Sequence, residues 1–125
     1  MKATSPTLVS FAVTRECNLK CKHCYSESVD SPHPRELDTA EAKRLISQIA
    51  ECGAHLVILD GGEPLMRPDI FDLVNHSRSV GLTTVMGTNG TLITIKTPVL
   101  TRRRMLDALA ETGISVDVAE RETER

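Results

Sequence analysis

The feature that most restricts this chain is a repeated unit: a short apolar run, a polar or glycine-rich stretch, then a segment of helical periodicity. The runs are Leu8-Val9-Ser10-Phe11-Ala12-Val13, Leu56-Val57-Ile58-Leu59 and Leu82-Thr83-Thr84-Val85-Met86. Each has the length of a strand and the near-continuous apolar character of one covered on both faces, as in a parallel sheet. Behind the first, Ala42, Leu45, Ile46, Ile49 and Ala50 fall at i, i+3, i+4, i+7 and i+8, one buried helical stripe. Asp38 followed by Glu41 predicts where that helix starts, with Thr39 as the competing N-cap, and Gly53 predicts its left-handed stop. A second helix opens at Pro68-Asp69, turns Ile70, Leu73, Val74 and Ser77 inward and stops at Gly81. A third is expected over 101–112, burying Met105, Leu106 and Leu109, with Gly113 and a fourth strand over 114–118 after it.

The order β-α-β-α-β-α-β predicts an α/β fold with parallel strands and right-handed crossovers. One domain is expected over 1–125, with an N-terminal tail at 1–7 and a charged, frayed tail at 119–125. Every polar or glycine-rich segment follows a strand. In folds of this type such segments meet at the carboxyl edge of the sheet, where ligands bind. The cysteines, Gly61-Gly62-Glu63-Pro64 and Thr88-Asn89-Gly90 should therefore come together in space.

The net charge of −2 gives no pull toward nucleic acid or an anionic membrane surface, so neither is an expected partner. Arg102-Arg103-Arg104 reads as the solvated first turn of a helix. No apolar stretch approaches the ~20 residues that span a bilayer. Residues 1–6 lack the apolar core of a signal peptide, so a cytoplasmic protein is expected. Thiols stay reduced there, and clustered cysteines favour metal or redox chemistry over disulfides. Of the four cysteines, Cys17, Cys21 and Cys24 crowd into eight residues.

Three thiolates on one tight loop suit an iron–sulfur cluster, and a cubane with only three protein ligands keeps one iron open for chemistry. Zinc is the alternative, since Cys17, Cys21, His23 and Cys24 are the donors of a Cys3His site. The adjacency of His23 and Cys24 makes it hard for both to reach one tetrahedral ion. Cys52, at the end of the first helix, reads as a small helix residue. His33, His55 and His76 have no ligand spacing and read as loop, strand edge and helix surface. Alone, Asp60–Pro64 and Asn89-Gly90 could be ordinary turns.

The segment Cys17-Asn18-Leu19-Lys20-Cys21-Lys22-His23-Cys24-Tyr25, with its C-x3-C-x2-C spacing, resembles the cluster motif of the radical S-adenosylmethionine (SAM) superfamily. Its form looks most like the branch of haem and haem d1 maturation enzymes and of peptide-modifying enzymes with a C-terminal auxiliary-cluster (SPASM-type) domain. The resemblance implies a [4Fe–4S] cluster on Cys17, Cys21 and Cys24. SAM would bind the fourth iron through its amino and carboxylate groups and be cleaved reductively to a 5′-deoxyadenosyl radical. His23 would lie beside the adenine, chiefly by its backbone. Gly61-Gly62-Glu63-Pro64 matches the element that binds the SAM amino group, and Thr88-Asn89-Gly90 an element lining the same mouth. The implied partners are a low-potential electron donor, such as ferredoxin or flavodoxin, and a cofactor or peptide substrate.

The resemblance covers residues 8–94 and then weakens; Val116-Asp117-Val118-Ala119-Glu120 lacks the Ser-Leu-Asp-Gly form usual after the fourth strand. It implies a partial (β/α) barrel of six units, of which this sequence supplies three and one strand. The expectation is therefore a truncated barrel, too short to be active alone, whose other half is absent or supplied by a second chain. A catalytically inactive cluster-binding remnant and a zinc-binding structural module stand as alternatives.

Overall fold

A computed structural model describes residues 4–24, 26–93 and 115–118. Its elements, in chain order, are β1 (Leu8–Thr14), α1 (Thr39–Glu51), β2 (Leu56–Gly61), α2 (Ile70–Ser79), β3 (Thr83–Thr88) and β4 (Ser115–Val118). Single 3-10 turns follow β2 at Pro64–Met66 and β3 at Thr91–Ile93. The strands are all parallel and lie side by side in the order β1-β2-β3-β4. A sheet that adds each new strand on the same side, with crossovers of one hand, keeps its helices on one face and forms an arc of a (β/α) barrel. A doubly wound sheet would reverse its order and carry helices on both faces.

The core lies on the helix side. Val13, Val57, Leu59 and Met86 of the strands pack with Ala42, Ile46 and Ile49 of α1 and with Ile70, Leu73 and Val74 of α2. The predicted stripes are thus the buried ones, with Leu45 and Ala50 at their half-buried margin. Alternate strand residues, including Ser10, Ile58, Asp60 and Val85, point to the opposite face, the inside of the arc, and stay partly open to solvent.

Asp38 is the N-cap of α1: its carboxylate accepts from the Glu41 N–H at 2.8 Å, and Glu41 accepts from the Asp38 N–H at 3.2 Å. Such a reciprocal box adds about 1 kcal/mol. Thr39, the competing cap, instead donates its hydroxyl to Asp69 at 2.6 Å. Gly53 (φ +95°) and Gly81 (φ +88°) end the two helices in the left-handed conformation, as predicted. The helix expected over 101–112 and the tail over 119–125 lie outside the described residues.

Two details depart from the sequence reading. β3 begins one residue later and runs two residues further than the apolar stretch, because the ladder with β4 continues through Gly87↔Asp117 and Thr88↔Val118. Asp69 precedes α2 but does not cap it; its carboxylate takes the Arg67 guanidinium instead, at 2.6 and 3.0 Å. The same guanidinium, nearly buried, donates to the Val13 carbonyl at 2.8 Å and the Leu37 carbonyl at 2.8 Å. Val13 is skipped in the β1–β2 register, which passes from Ala12↔Asp60 to Thr14↔Gly61. Arg67 thus satisfies a carbonyl at the irregularity and ties β1, the entry to α1 and the start of α2 together.

Candidate functional site

The chain leaves β1 at Thr14 and is caught at once by Glu36. That carboxylate accepts from the Thr14 hydroxyl at 2.9 Å, the Arg15 N–H at 2.9 Å and the His33 N–H at 3.1 Å. Burial pushes the Glu36 carboxyl up, but these donors and the nearby Arg67 charge outweigh it and hold the group below its ordinary value. The base of the cysteine loop is closed by Cys17 N–H to Val29 O at 2.7 Å and Val29 N–H to Arg15 O at 3.1 Å. Inside it, Cys24 N–H donates to Cys21 O at 3.3 Å. Cys17, Cys21 and Cys24 form no disulfide and are partly buried. Cys52 is exposed at the end of α1, its thiol turned to the Ile49 carbonyl at 3.0 Å.

The end of β2 is pressed against the root of this loop. Gly62 N–H donates to Thr14 O and Glu63 N–H to Glu16 O, both at 2.8 Å. A Cβ on Gly61 would stand 2.3 Å from the Thr14 oxygen, and one on Gly62 would stand 2.2 Å from the Glu16 oxygen. Both are impossible contacts with backbone. The close approach these glycines permit is therefore, in the first place, between two segments of this chain.

Glu63 is fully buried, and its carboxylate accepts from the Leu65 N–H at 3.0 Å, the Thr88 hydroxyl at 2.6 Å and the Asn89 N–H at 2.8 Å. Pro64 is buried beside it in the 3-10 turn. The carboxylate thereby clamps the end of β2 to the end of β3. Asn89 reaches on to the cysteine loop, its Nδ2 donating to Asn18 Oδ1 at 3.0 Å and lying 3.8 Å from Cys17 Sγ. The motifs that sequence placed at one edge are thus joined by hydrogen bonds.

They enclose a cavity of about 440 Å³. Cys17, Cys21, His23 and Cys24 line it from the loop, Gly61 and Gly62 from β2, Thr88 and Asn89 from β3. Asp60, Ile58 and Val85 continue it onto the inner face of the sheet. Glu63 and Pro64 lie behind this lining. Beside Cys24, the Sγ is 3.4 Å from Ser26 Oγ and 3.6 Å from Ser28 Oγ. Ser26 foremost, then Ser28, holds this thiol down at about 7, so it ionises near neutrality.

The Radical SAM superfamily model matches residues 11–120. This chain belongs to the radical SAM superfamily. It is 39% identical to an AdoMet-dependent heme synthase of Methanosarcina barkeri over 119 residues, which are 95% of this chain and 33% of that protein. With an AdoMet-dependent heme synthase of Oleidesulfovibrio alaskensis it shares 47% identity over 87 residues, 70% of this chain and 22% of the relative. The chain thus spans a third or less of the length of these relatives. Among solved structures, Streptococcus suis SuiB bound to S-adenosylmethionine superposes with a TM-score of 0.73 at 22% identity, covering 90% of this chain and 24% of that one. That likeness establishes the fold, a radical SAM partial barrel.

The cofactors of a radical SAM protein are a [4Fe–4S] cluster and SAM, and the donor set at this edge suits them. Cys17, Cys21 and Cys24 line one cavity without forming a disulfide, and the Cys24 thiol is held down at about 7. A cubane takes one thiolate on each of several irons, so its ligands need not converge on a point. The zinc alternative does need Cys17, Cys21, His23 and Cys24 around a single ion. Among the described residues no three His, Cys, Asp or Glu side chains, the three cysteines included, are grouped around a single point.

Sequence reasoning missed Ser26 and Ser28, Asp60 as a cavity residue, and the Glu36 and Arg67 anchors. Only the serines carried a usable signal, two hydroxyls at fixed steps after the last cysteine of the motif.

Proposed function

We propose that this chain holds the [4Fe–4S] cluster on Cys17, Cys21 and Cys24 and SAM against the ends of β2 and β3, as part of an enzyme that modifies a cofactor or a peptide. The observation that carries this reading is the single cavity shared by the three cysteines, Gly61, Gly62, Thr88 and Asn89. When bound, the cofactor pair supplies reductive cleavage of SAM to a 5′-deoxyadenosyl radical that takes a hydrogen from the substrate.

The chain's own residues bind and position. Asn89 sets the Cys17 sulfur by donating toward it, and Gly61 and Gly62 keep the wall free of side chains. Glu63 contributes from behind the lining, by fixing Thr88 and Asn89 at the mouth, and Pro64 is buried beside it. His23, exposed on the loop, offers its backbone to the adenine. A ferredoxin or flavodoxin is the electron source, and the reducing cytoplasm is the compartment. No helix among the described residues is long and apolar enough to cross a membrane. The names of the relatives make a tetrapyrrole the first substrate class to test, ahead of a peptide. Substrate choice depends on parts of such an enzyme beyond this stretch, in the same polypeptide or a second chain.

Anaerobic reconstitution is expected to give about four irons per chain. With a low-potential reductant the loaded protein should release 5′-deoxyadenosine from SAM, and Cys21→Ala should not. Cluster loading without any cleavage would reduce the chain to a cluster-binding module. Zinc retained in place of iron would overturn the reading.

A further inference from the structure

The Cys24 sulfur is held differently from that of Cys17. Cys17 Sγ lies 3.5 Å from the Leu19 N–H nitrogen and 3.8 Å from Asn89 Nδ2, contacts at the long end for sulfur. Cys24 has two hydroxyls, Ser26 Oγ at 3.4 Å and Ser28 Oγ at 3.6 Å. These hydroxyls are not loose surface groups. Ser26 and Ser28 lie 2.9 Å apart, and Ser26 donates to the Gly61 carbonyl at 3.1 Å, which locks the pair between the cysteine loop and β2. Both line the cavity.

A thiolate that binds iron has no proton and can only accept. Each serine has one hydroxyl proton, and rotation can turn it from its present oxygen partner to the sulfur. Hydrogen bonds to cluster sulfurs are among the factors that set an iron–sulfur potential. They stabilise the more negative, reduced state more than the oxidised one, because the added electron raises the charge on the sulfurs.

We propose that Ser26 and Ser28 form a hydroxyl pair on Cys24 that raises the reduction potential of the cluster. This inference rests on the assignment of Cys24 as a cluster ligand. One electron enters from a low-potential donor; no bond is made or broken, and no proton need move. The pair is a positioning device, acting through Cys24 and not on the substrate.

The test is a potentiometric titration followed by electron paramagnetic resonance on the reconstituted chain, for wild type, Ser26→Ala, Ser28→Ala and the double variant. Iron and sulfide content measured on the same samples reports the ligand assignment separately. The expected result is unchanged iron with a midpoint potential lowered in each single variant. In the double variant the reduction equilibrium should fall about tenfold, which for one electron is about 59 mV. Ser28→Thr, which keeps the hydroxyl, should restore the wild-type potential. Full iron with coincident potentials in all variants would overturn the proposal and leave the serines as loop-closing groups. If an alanine variant loses iron, Ser28→Val decides. Wild-type potential there would overturn the proposal, and a lowered one would support it. A wild-type chain that takes up no cluster would instead overturn the ligand assignment itself.

Discussion

At the scale of single residues, the site depends on two carboxylates that hold backbone in place, Glu63 buried and Glu36 half-buried. Glu63 accepts three hydrogen bonds and Glu36 another three, and neither is arranged like a surface ion pair. Charge-assisted bonds of this kind contribute about 1.5–3 kcal/mol each when intact, and their donors are left stranded when the acceptor is lost. Glu36 gives the pH dependence. Its folded pKa is depressed below the ordinary 4.5, so its contribution to stability is fully present above that value. The contribution is lost as pH falls through the lower, folded value. Asp69, depressed by Arg67 and Thr39 against the cost of burial, behaves alike. Urea midpoints measured on a pH series should therefore fall on the acid side of 4.5 in wild type. Glu36→Gln should have a lower midpoint near neutrality and a flatter acid limb.

At the scale of elements, the cysteine loop is placed by contact between the end of β2 and the end of β1, and Gly62 is the point of contact. Gly62→Ala would drive a methyl group into the Glu16 carbonyl, whose built distance is only 2.2 Å. Backbone on both sides leaves no cheap adjustment, so a loss of about 1–3 kcal/mol is expected. Gly87→Ala is the comparison: its Cβ meets only Asp60 Cβ, at an ordinary 3.6 Å. Urea unfolding should show Gly87→Ala close to wild type and Gly62→Ala clearly below it, with iron uptake following the same order. Much of this was legible beforehand. Strand-length apolar runs, the Asp38–Glu41 box and the helix-stop glycines named the elements because each is a local signal. The partners of Gly62 were not, because a glycine looks the same whether ligand or backbone approaches it. The grip of Arg67 on Val13 and Leu37 was equally hidden, since carbonyl acceptors carry no side-chain signature.

At the scale of the molecule, sequential parallel strands put the helices on one face and leave the other as the inside of an arc. The three motifs meet at the carboxyl edge of that arc because each directly follows a strand. Periodicity alone was enough to predict this meeting, and the family resemblance supplied the chemistry. Hydrogen bonds that Glu63 accepts from Thr88 and Asn89, and the one Asn89 donates to the cysteine loop, then turn a meeting of segments into one wall. The central claim is that the three cysteines carry a cluster whose remaining iron is open to SAM. It is tested most directly by the electron paramagnetic resonance spectrum of the reduced, reconstituted chain, recorded with and without SAM. The account predicts a [4Fe–4S] signal that changes on adding SAM and is absent in Cys17→Ala, Cys21→Ala and Cys24→Ala. A signal indifferent to SAM, or one that survives loss of any of these cysteines, would contradict it.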